Sequence, residues 1–273
     1  MRTVAMSLVL VLFGCGGAEK PAATVPSASA AAPAPVEMTS PGNDVMAGGD
    51  AWDPAKGTAT VKGTVKFEGD APPRRTIDVG SEKFCVDRRK DDPLRSETYV
   101  VGADGGLANV FIQVTAGLEN WKFPDATGEV VLDQTGCQYV PHVLGAQTGQ
   151  TLKVKNSDPI MHNVHGVNRK TEKDEFNWAQ TKAGLEDTKD LKKAGHVAIK
   201  CDVHGWMGAT LWIVKHPFFA VSAADGTFTL PKLPPGTYTI EAWHESEKLG
   251  TQTQSVTVGD GETKEIVFKF AVK

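Results

Sequence analysis

Short runs of alternating apolar and polar residues, each closed by a glycine- or proline-rich turn, recur along most of this chain. Val61, Val65 and Phe67 alternate with polar residues, as do Val110, Ile112 and Val114, and Leu152 and Val154. Val197, Ile199 and Cys201 share one face, Leu211 and Ile213 follow, and Tyr238, Ile240, Ala242 and Ile266, Phe268, Phe270 repeat the pattern near the end. A period of two sends successive side chains to opposite faces of a strand. Between the runs stand Asp104-Gly105-Gly106, Asp225-Gly226, Pro234-Pro235-Gly236 and Gly259-Asp260-Gly261. Short half-buried strands with such turns predict an all-β fold of packed sheets in sandwich architecture. The one helix expected is short and lies within the charged stretch 169–193, which reads otherwise as a solvated loop or lid.

The segment Cys201-Asp-Val-His-Gly-Trp-Met207 stands apart from this scaffold. With His162 upstream it offers one thiolate, two imidazoles and one thioether. That is the ligand inventory of a trigonal His₂Cys copper site with a weak axial Met. Soft sulfur suits Cu(I), and imidazole suits both oxidation states. The C-x2-H-x2-M spacing lets one loop fold three donors around one ion. A set without hard oxygen ligands is a poor home for calcium or magnesium. Zinc is compatible with the ligand types, but structural zinc prefers four strong Cys or His ligands. Against every metal reading stands the ordinary one, in which a strand cysteine is a small buried hydrophobe.

His162-Asn163-Val164-His165, preceded by Asn156-Ser-Asp-Pro-Ile-Met161, resembles the first-ligand segment of the cupredoxins, amicyanin above all. Tyr139-Val-Pro-His-Val-Leu144 and Gly149-Gln-Thr-Leu-Lys-Val-Lys-Asn156 resemble the strands leading into it, and Ala194-Gly-His-Val-Ala-Ile-Lys-Cys201 the strand that delivers the thiolate. The resemblance covers roughly residues 139–214. It implies a cupredoxin-like Greek-key sandwich holding one type 1 copper through His162, Cys201, His204 and Met207. It implies also that Asn163 ties the two ligand loops together. His204 is implied to lie near the surface as the electron port, with Val203, Gly205 and Trp206 on the docking face. Gly205 departs from the family, which carries Pro there, and glycine loosens the loop. His165 should point away from His162 in a regular strand and is read as structural or supporting. His142, His196, His216 and His244 have no partner motif and read as surface or core histidines.

The last residues have another character. Asp225-Gly-Thr-Phe-Thr-Leu230 and Pro234-Pro-Gly-Thr-Tyr238 resemble the carboxypeptidase regulatory-like or transthyretin-like β-sandwich, and Val61-Lys-Gly-Thr-Val-Lys-Phe67 resembles its first strand. The expected division is a cupredoxin-like copper domain over residues 58–217 and a regulatory-like module over 218–273. The first strand, residues 58–68, is expected to pack with that module, with the copper part inserted between. Some relatives of this sandwich bind carbohydrate, so Trp243 and His244 could form a sugar platform, although a half-buried strand Trp is the commoner case.

At the other end, Arg2 followed by an apolar run from Val4 to Phe13 is too short to span a bilayer and reads as a targeting segment. Leu12-Phe13-Gly14-Cys15 resembles a bacterial lipobox, which implies lipidation of Cys15 and residues 1–15 as signal peptide. An ordinary secretory signal is the alternative. Gly16 is not the Asp of inner-membrane retention, which points to the outer membrane, facing the periplasm. Residues 16–57 are rich in Ala, Pro, Ser and Gly and read as a disordered tether. Of the four cysteines, Cys15 then goes to lipid and Cys201 to copper. Cys85 and Cys137 remain, in a compartment that permits disulfides, and are expected to pair.

A net charge of -4 with no basic patch argues against nucleic acid. No nucleophile elbow, phosphate-cradling loop or carboxylate pair suggests an enzyme. The leading expectation is a membrane-tethered copper protein that passes single electrons to and from a periplasmic redox protein, such as a c-type cytochrome or dehydrogenase. The alternatives are a surface lipoprotein that binds glycan or protein on a β-sandwich scaffold, and a copper carrier.

Overall fold

The computed structural model describes residues 49–272. The expected signal peptide, Cys15 and most of the expected tether therefore lie outside the described residues. No helix among the described residues is long and apolar enough to cross a membrane.

Strands dominate. In chain order they begin with β1 (Asp50–Ala51), β2 (Thr60–Phe67), β3 (Phe111–Ala116), β4 (Trp121–Lys122), β5 (Glu129–Gln134) and β6 (Tyr139–Val140). The central set is β7 (Val143–Gln147), β8 (Thr151–Asn156), β9 (His162–Asn168), β10 (Asp174–Gln180), β11 (Glu186–Asp190) and β12 (Gly195–Lys200). The last are β13 (Gly208–Val214), β14 (Phe219–Val221), β15 (Thr227–Thr229), β16 (Gly236–Trp243), β17 (Thr251–Val258) and β18 (Thr263–Phe270). The α-helix among the described residues is α1 (Lys83–Arg89), whose Cys85 is buried.

Two sheets, ordered β10-β9-β12-β13-β7 and β11-β8-β5-β6, enclose one core. Leu132, Leu152 and Val154 come from one sheet, and Val164, Val197, Ile199 and Leu211 from the other. Two further sheets, β14-β3-β16-β17 and β15-β2-β18, enclose a second core around Val65, Ile112, Phe228, Ile240, Val256 and Phe268. Each such side chain contributes roughly 1.5–3 kcal/mol when fully buried. β2 runs parallel to β18, from Thr60 opposite Thr263 to Phe67 opposite Phe270, and antiparallel to β15.

Three expectations need correction. The stretch 169–193 holds no helix. It contributes β10 and β11, which pair with β9 and β8 at sheet edges. β11 alternates exposed and half-buried residues, so its charges reflect an edge strand. Second, β3 does not join the central sandwich. It pairs with β16 and β14 because Ile112 and Val114 fit the core of the terminal sandwich. The sheets thus place residues up to 116 with the C-terminal strands, and the first strand of the central sandwich starts at 129. Third, the tether does not run to residue 57: β1 pairs with β4, and Trp52 packs edge-on to Trp121 and Phe218, so an aromatic anchor orders this piece.

Two glycines show how local chemistry sets the fold. Gly226 has φ +80, and a Cβ there would lie 2.3 Å from the Val65 carbonyl oxygen, so the Asp225-Gly226 turn requires glycine. A Cβ on Gly145 would meet the rings of Phe219 and Phe111 at 2.6 and 2.8 Å. Its absence lets Phe111 stack on Trp212 with ring centroids 5.2 Å apart, which packs one sandwich on the other. The Pro-Pro-Gly turn is locked by Tyr238, whose buried hydroxyl donates to the Pro234 carbonyl at 2.7 Å.

His216 gives the fold a pH dependence. It is buried between Phe123 and Phe218, its Nδ1 accepts the Phe218 N–H at 3.2 Å, and burial pushes its pKa down to about 4. The unfolded chain, with a pKa near 6.5, binds the proton first, so stability falls as pH drops from about 6.5 to about 4. This histidine should cost about 3 kcal/mol over that window. Urea unfolding at both ends should show a shallower pH slope in His216→Gln; equal slopes would refute the assignment.

Candidate metal centre

The ligand loop grows out of strand alternation. On β12, Val197 and Ile199 face the core, and Cys201 follows on the same side, 3% exposed. The chain then turns back: Met207 N–H donates to the His204 carbonyl at 2.9 Å, and Cys201 N–H to the Met207 carbonyl at 3.3 Å. Met207 is buried in the same apolar cluster as Cys201. Gly205 is exposed, and a Cβ there would meet open space. Its backbone is outside the left-handed region, so this turn does not require glycine.

His162 opens β9 and is fully buried. The loop before it is shaped by Asn156, whose side-chain amide donates to the carbonyls of Ile160 and Gln180 at 2.8 and 3.1 Å. Its Oδ1 accepts the Asp158 N–H at 2.9 Å. Asp158 in turn accepts from His162 Nε2 at 3.0 Å. A carboxylate can only accept here, so Nε2 carries a proton, and Nδ1 is the ring nitrogen that faces inward.

His162 Nδ1 meets His204 Nδ1 at 2.9 Å, and His204 Nδ1 is 3.8 Å from Cys201 Sγ. The donor atoms of His162, Cys201 and His204 all lie within 4.8 Å of one another. Both of the shorter separations are below the roughly 4.0–4.3 Å that two bonds to one small metal can span. The buried set of two imidazoles and a thiol therefore fits a soft or borderline ion.

Electrostatics prepare the donors. Burial alone would raise the Cys201 thiol. The hydrogen bond with His162 and backbone N–H groups outweigh it and hold the pKa below the ordinary thiol range. The N–H groups of Asn163 and His204 approach Sγ at 3.4 and 3.3 Å. Burial and the neighbouring His162 push His204 down, toward its neutral ligating form. Burial would lower His162 as well, but hydrogen bonds to Asp158 and Cys201 prevail and raise it.

The other singled-out residues fall as follows. Asn163 Oδ1 accepts the Asp202 N–H at 3.1 Å, while its amide donates to Asn177 at 2.6 Å, so it links β9 to the residue after Cys201. His165 points elsewhere, between Asp202 and Asp174 at 3.0 and 2.7 Å. Val203 is 47% exposed and Trp206 half-buried. Cys85 and Cys137 form a disulfide. His142 lies between Glu97 and Glu245, at 3.6 and 3.0 Å. His244 is buried, and Trp243 packs on Trp212 and His196, so these two form no open platform.

Three partners escaped sequence reasoning. Asp158 sits four residues before His162, inside a segment read only for its resemblance. Tyr139 donates its hydroxyl to the Asn163 carbonyl at 2.5 Å. Trp206 donates Nε1–H to the Cys137 carbonyl at 3.0 Å.

Residues 190–266 match the family described as polysaccharide lyase family 4, domain II, less than a third of the chain. No curated protein matches this sequence. Among solved structures, a reduced amicyanin variant is similar with a TM-score of 0.29 and 23% identity, covering 32% of this chain and 82% of that one. A copper-containing nitrite reductase from Thermus scotoductus SA-01 gives 0.27 and 18%, covering 32% and 22%. A purple cupredoxin from Nitrosopumilus maritimus gives 0.27 and 18%, covering 30% and 97%.

Proposed function

We propose that this chain is a type 1 copper protein that carries single electrons. The observation that carries this reading is the convergence of His162 Nδ1, His204 Nδ1 and Cys201 Sγ in one buried cluster. Bound copper would supply a one-electron Cu(II)/Cu(I) couple. His162, His204 and Cys201 would hold it, with the thioether of Met207, buried in the same cluster as Cys201, as a weaker fourth donor. Rigid, buried donors keep the site alike in both oxidation states, and electron transfer then needs little rearrangement.

The protein groups do the rest. Asn163 and the backbone N–H groups stabilise the thiolate and tie it to β9. Exposed Val203 and Gly205 flank His204 in sequence and offer a small apolar contact for a transient redox encounter. In this reading the partner is a periplasmic redox protein such as a c-type cytochrome, and lipidated Cys15 anchors the chain to the outer membrane. The role is transfer of electrons, without substrate turnover.

The test is a Cu(II) titration of the full chain followed by absorption. One equivalent should develop an intense visible band that bleaches with one electron and returns on reoxidation. Absence of the band in the folded protein, or copper that cannot cycle, would overturn the proposal.

A further inference from the structure

Among the described residues, Asp158 is the one buried carboxylate hydrogen-bonded to a metal-ligating candidate. It is 3% exposed. Its Oδ1 accepts the Gly136 N–H at 2.7 Å, and its Oδ2 accepts the Cys137 N–H at 2.7 Å and His162 Nε2 at 3.0 Å. Gly136 and Cys137 have φ values of +61 and +63. Two successive left-handed residues aim their N–H groups into one concavity, an anion nest. The nest is thus filled by this chain's own carboxylate.

Burying a charge is costly unless it is compensated. A neutral carbonyl could hold an imidazole N–H in place at lower cost. The charge therefore calls for a use, and its contact partner supplies one. A carboxylate on the outer nitrogen fixes the tautomer of a ligating histidine and raises the basicity of the inner nitrogen. A more basic imidazole favours the more highly charged metal.

The same dipeptide reaches the second histidine. The Cys137 carbonyl accepts from Trp206 Nε1, and the Trp206 ring lies 4.9 Å from the His204 ring. Cys137 is tied to α1 through Cys85, and Arg89 on that helix donates to the Gly136 carbonyl at 2.7 Å. The nest is therefore braced from both sides.

We propose that Asp158 is a positioning residue that locks His162 with its proton on Nε2, presents Nδ1 to the metal and biases bound copper toward Cu(II). This deepens the copper reading and rests on it for its second half only. The first half is a property of the metal-free protein.

The experiment has two arms. Imidazole nitrogen NMR of the full metal-free chain at about pH 8 should show His162 with its proton on Nε2. A neutral ring with its proton on Nδ1 instead would overturn the proposal, and this arm needs only the unaltered protein. In the second arm, Asp158→Asn keeps an acceptor but removes the charge. The ratio of Cu(II) to Cu(I) affinity should fall at least about tenfold, which equals a rise of about 59 mV in reduction potential. A potential that stays put would overturn the charge role. If the unaltered protein takes up no copper, the copper reading fails, and the NMR arm still decides the role of Asp158.

Discussion

Serine in place of Cys201 should abolish the visible Cu(II) band altogether and leave the protein folded. In the proposed centre such a band would arise from charge transfer between thiolate and copper, and Cys201 is the free cysteine among the described residues. A serine hydroxyl is a hard, weakly acidic donor and cannot substitute for soft sulfur on Cu(I). The N–H groups of Asn163 and His204 that approach Sγ would then face a neutral oxygen. Affinity for Cu(I) should fall by orders of magnitude, measured by competition with a chromophoric chelator. Far-ultraviolet circular dichroism should match the unaltered protein. A band that survives in Cys201→Ser would place copper elsewhere and end the type 1 reading.

Removing the disulfide should have the largest effect on stability. Cys85 and Cys137 are separated by 52 residues and both are fully buried. Loop-closure entropy alone gives a loss of about 4 kcal/mol for a crosslink of this span. The double variant Cys85→Ala, Cys137→Ala also loosens the small cluster of Leu94, Ile77, Phe84 and Trp206 around the bond. Urea unfolding, compared at equal slope, measures the loss. A change below about 1 kcal/mol would show that the loop is held by other contacts.

Much of the candidate site could be read from sequence because its geometry is local. Alternation along Val197, Ile199 and Cys201 puts the thiol on the core face, and the loop spacing brings His204 back within reach of it. The Asp225-Gly226 and Pro234-Pro235-Gly236 turns announce themselves for the same reason: a backbone conformation demands those residue types. What stayed hidden depends on partners distant in sequence. Nothing around Asp158 signals that a nest made by Gly136 and Cys137 would hold it. The pairing of β3 with β16 spans more than a hundred residues and leaves no local trace, so Ile112 and Val114 fell within the copper domain expected over residues 58–217. The stretch 169–193 misled through its charge, because a strand at a sheet edge needs to bury so little that its composition resembles a solvated loop.

The parallel pairing of β2 with β18 has a consequence for the order in which this molecule comes together. β2 meets Gly105 and Leu107 within some forty residues, but some hundred and sixty must be gathered before it meets β15 and some two hundred before β18, and closing loops of that length costs entropy. The central sandwich offers a way around this. Its strands from β5 to β13 are joined by neighbouring segments, and once folded it holds its two ends close together, Gln147 donating to the carbonyls of both Pro124 and Lys215 at 3.0 and 3.4 Å. The search left to β2 and β18 then becomes a short one. A chain emerging from the ribosome would complete its ligand cradle while β2, the central strand of its sheet, still waited for β15 and then β18 to appear.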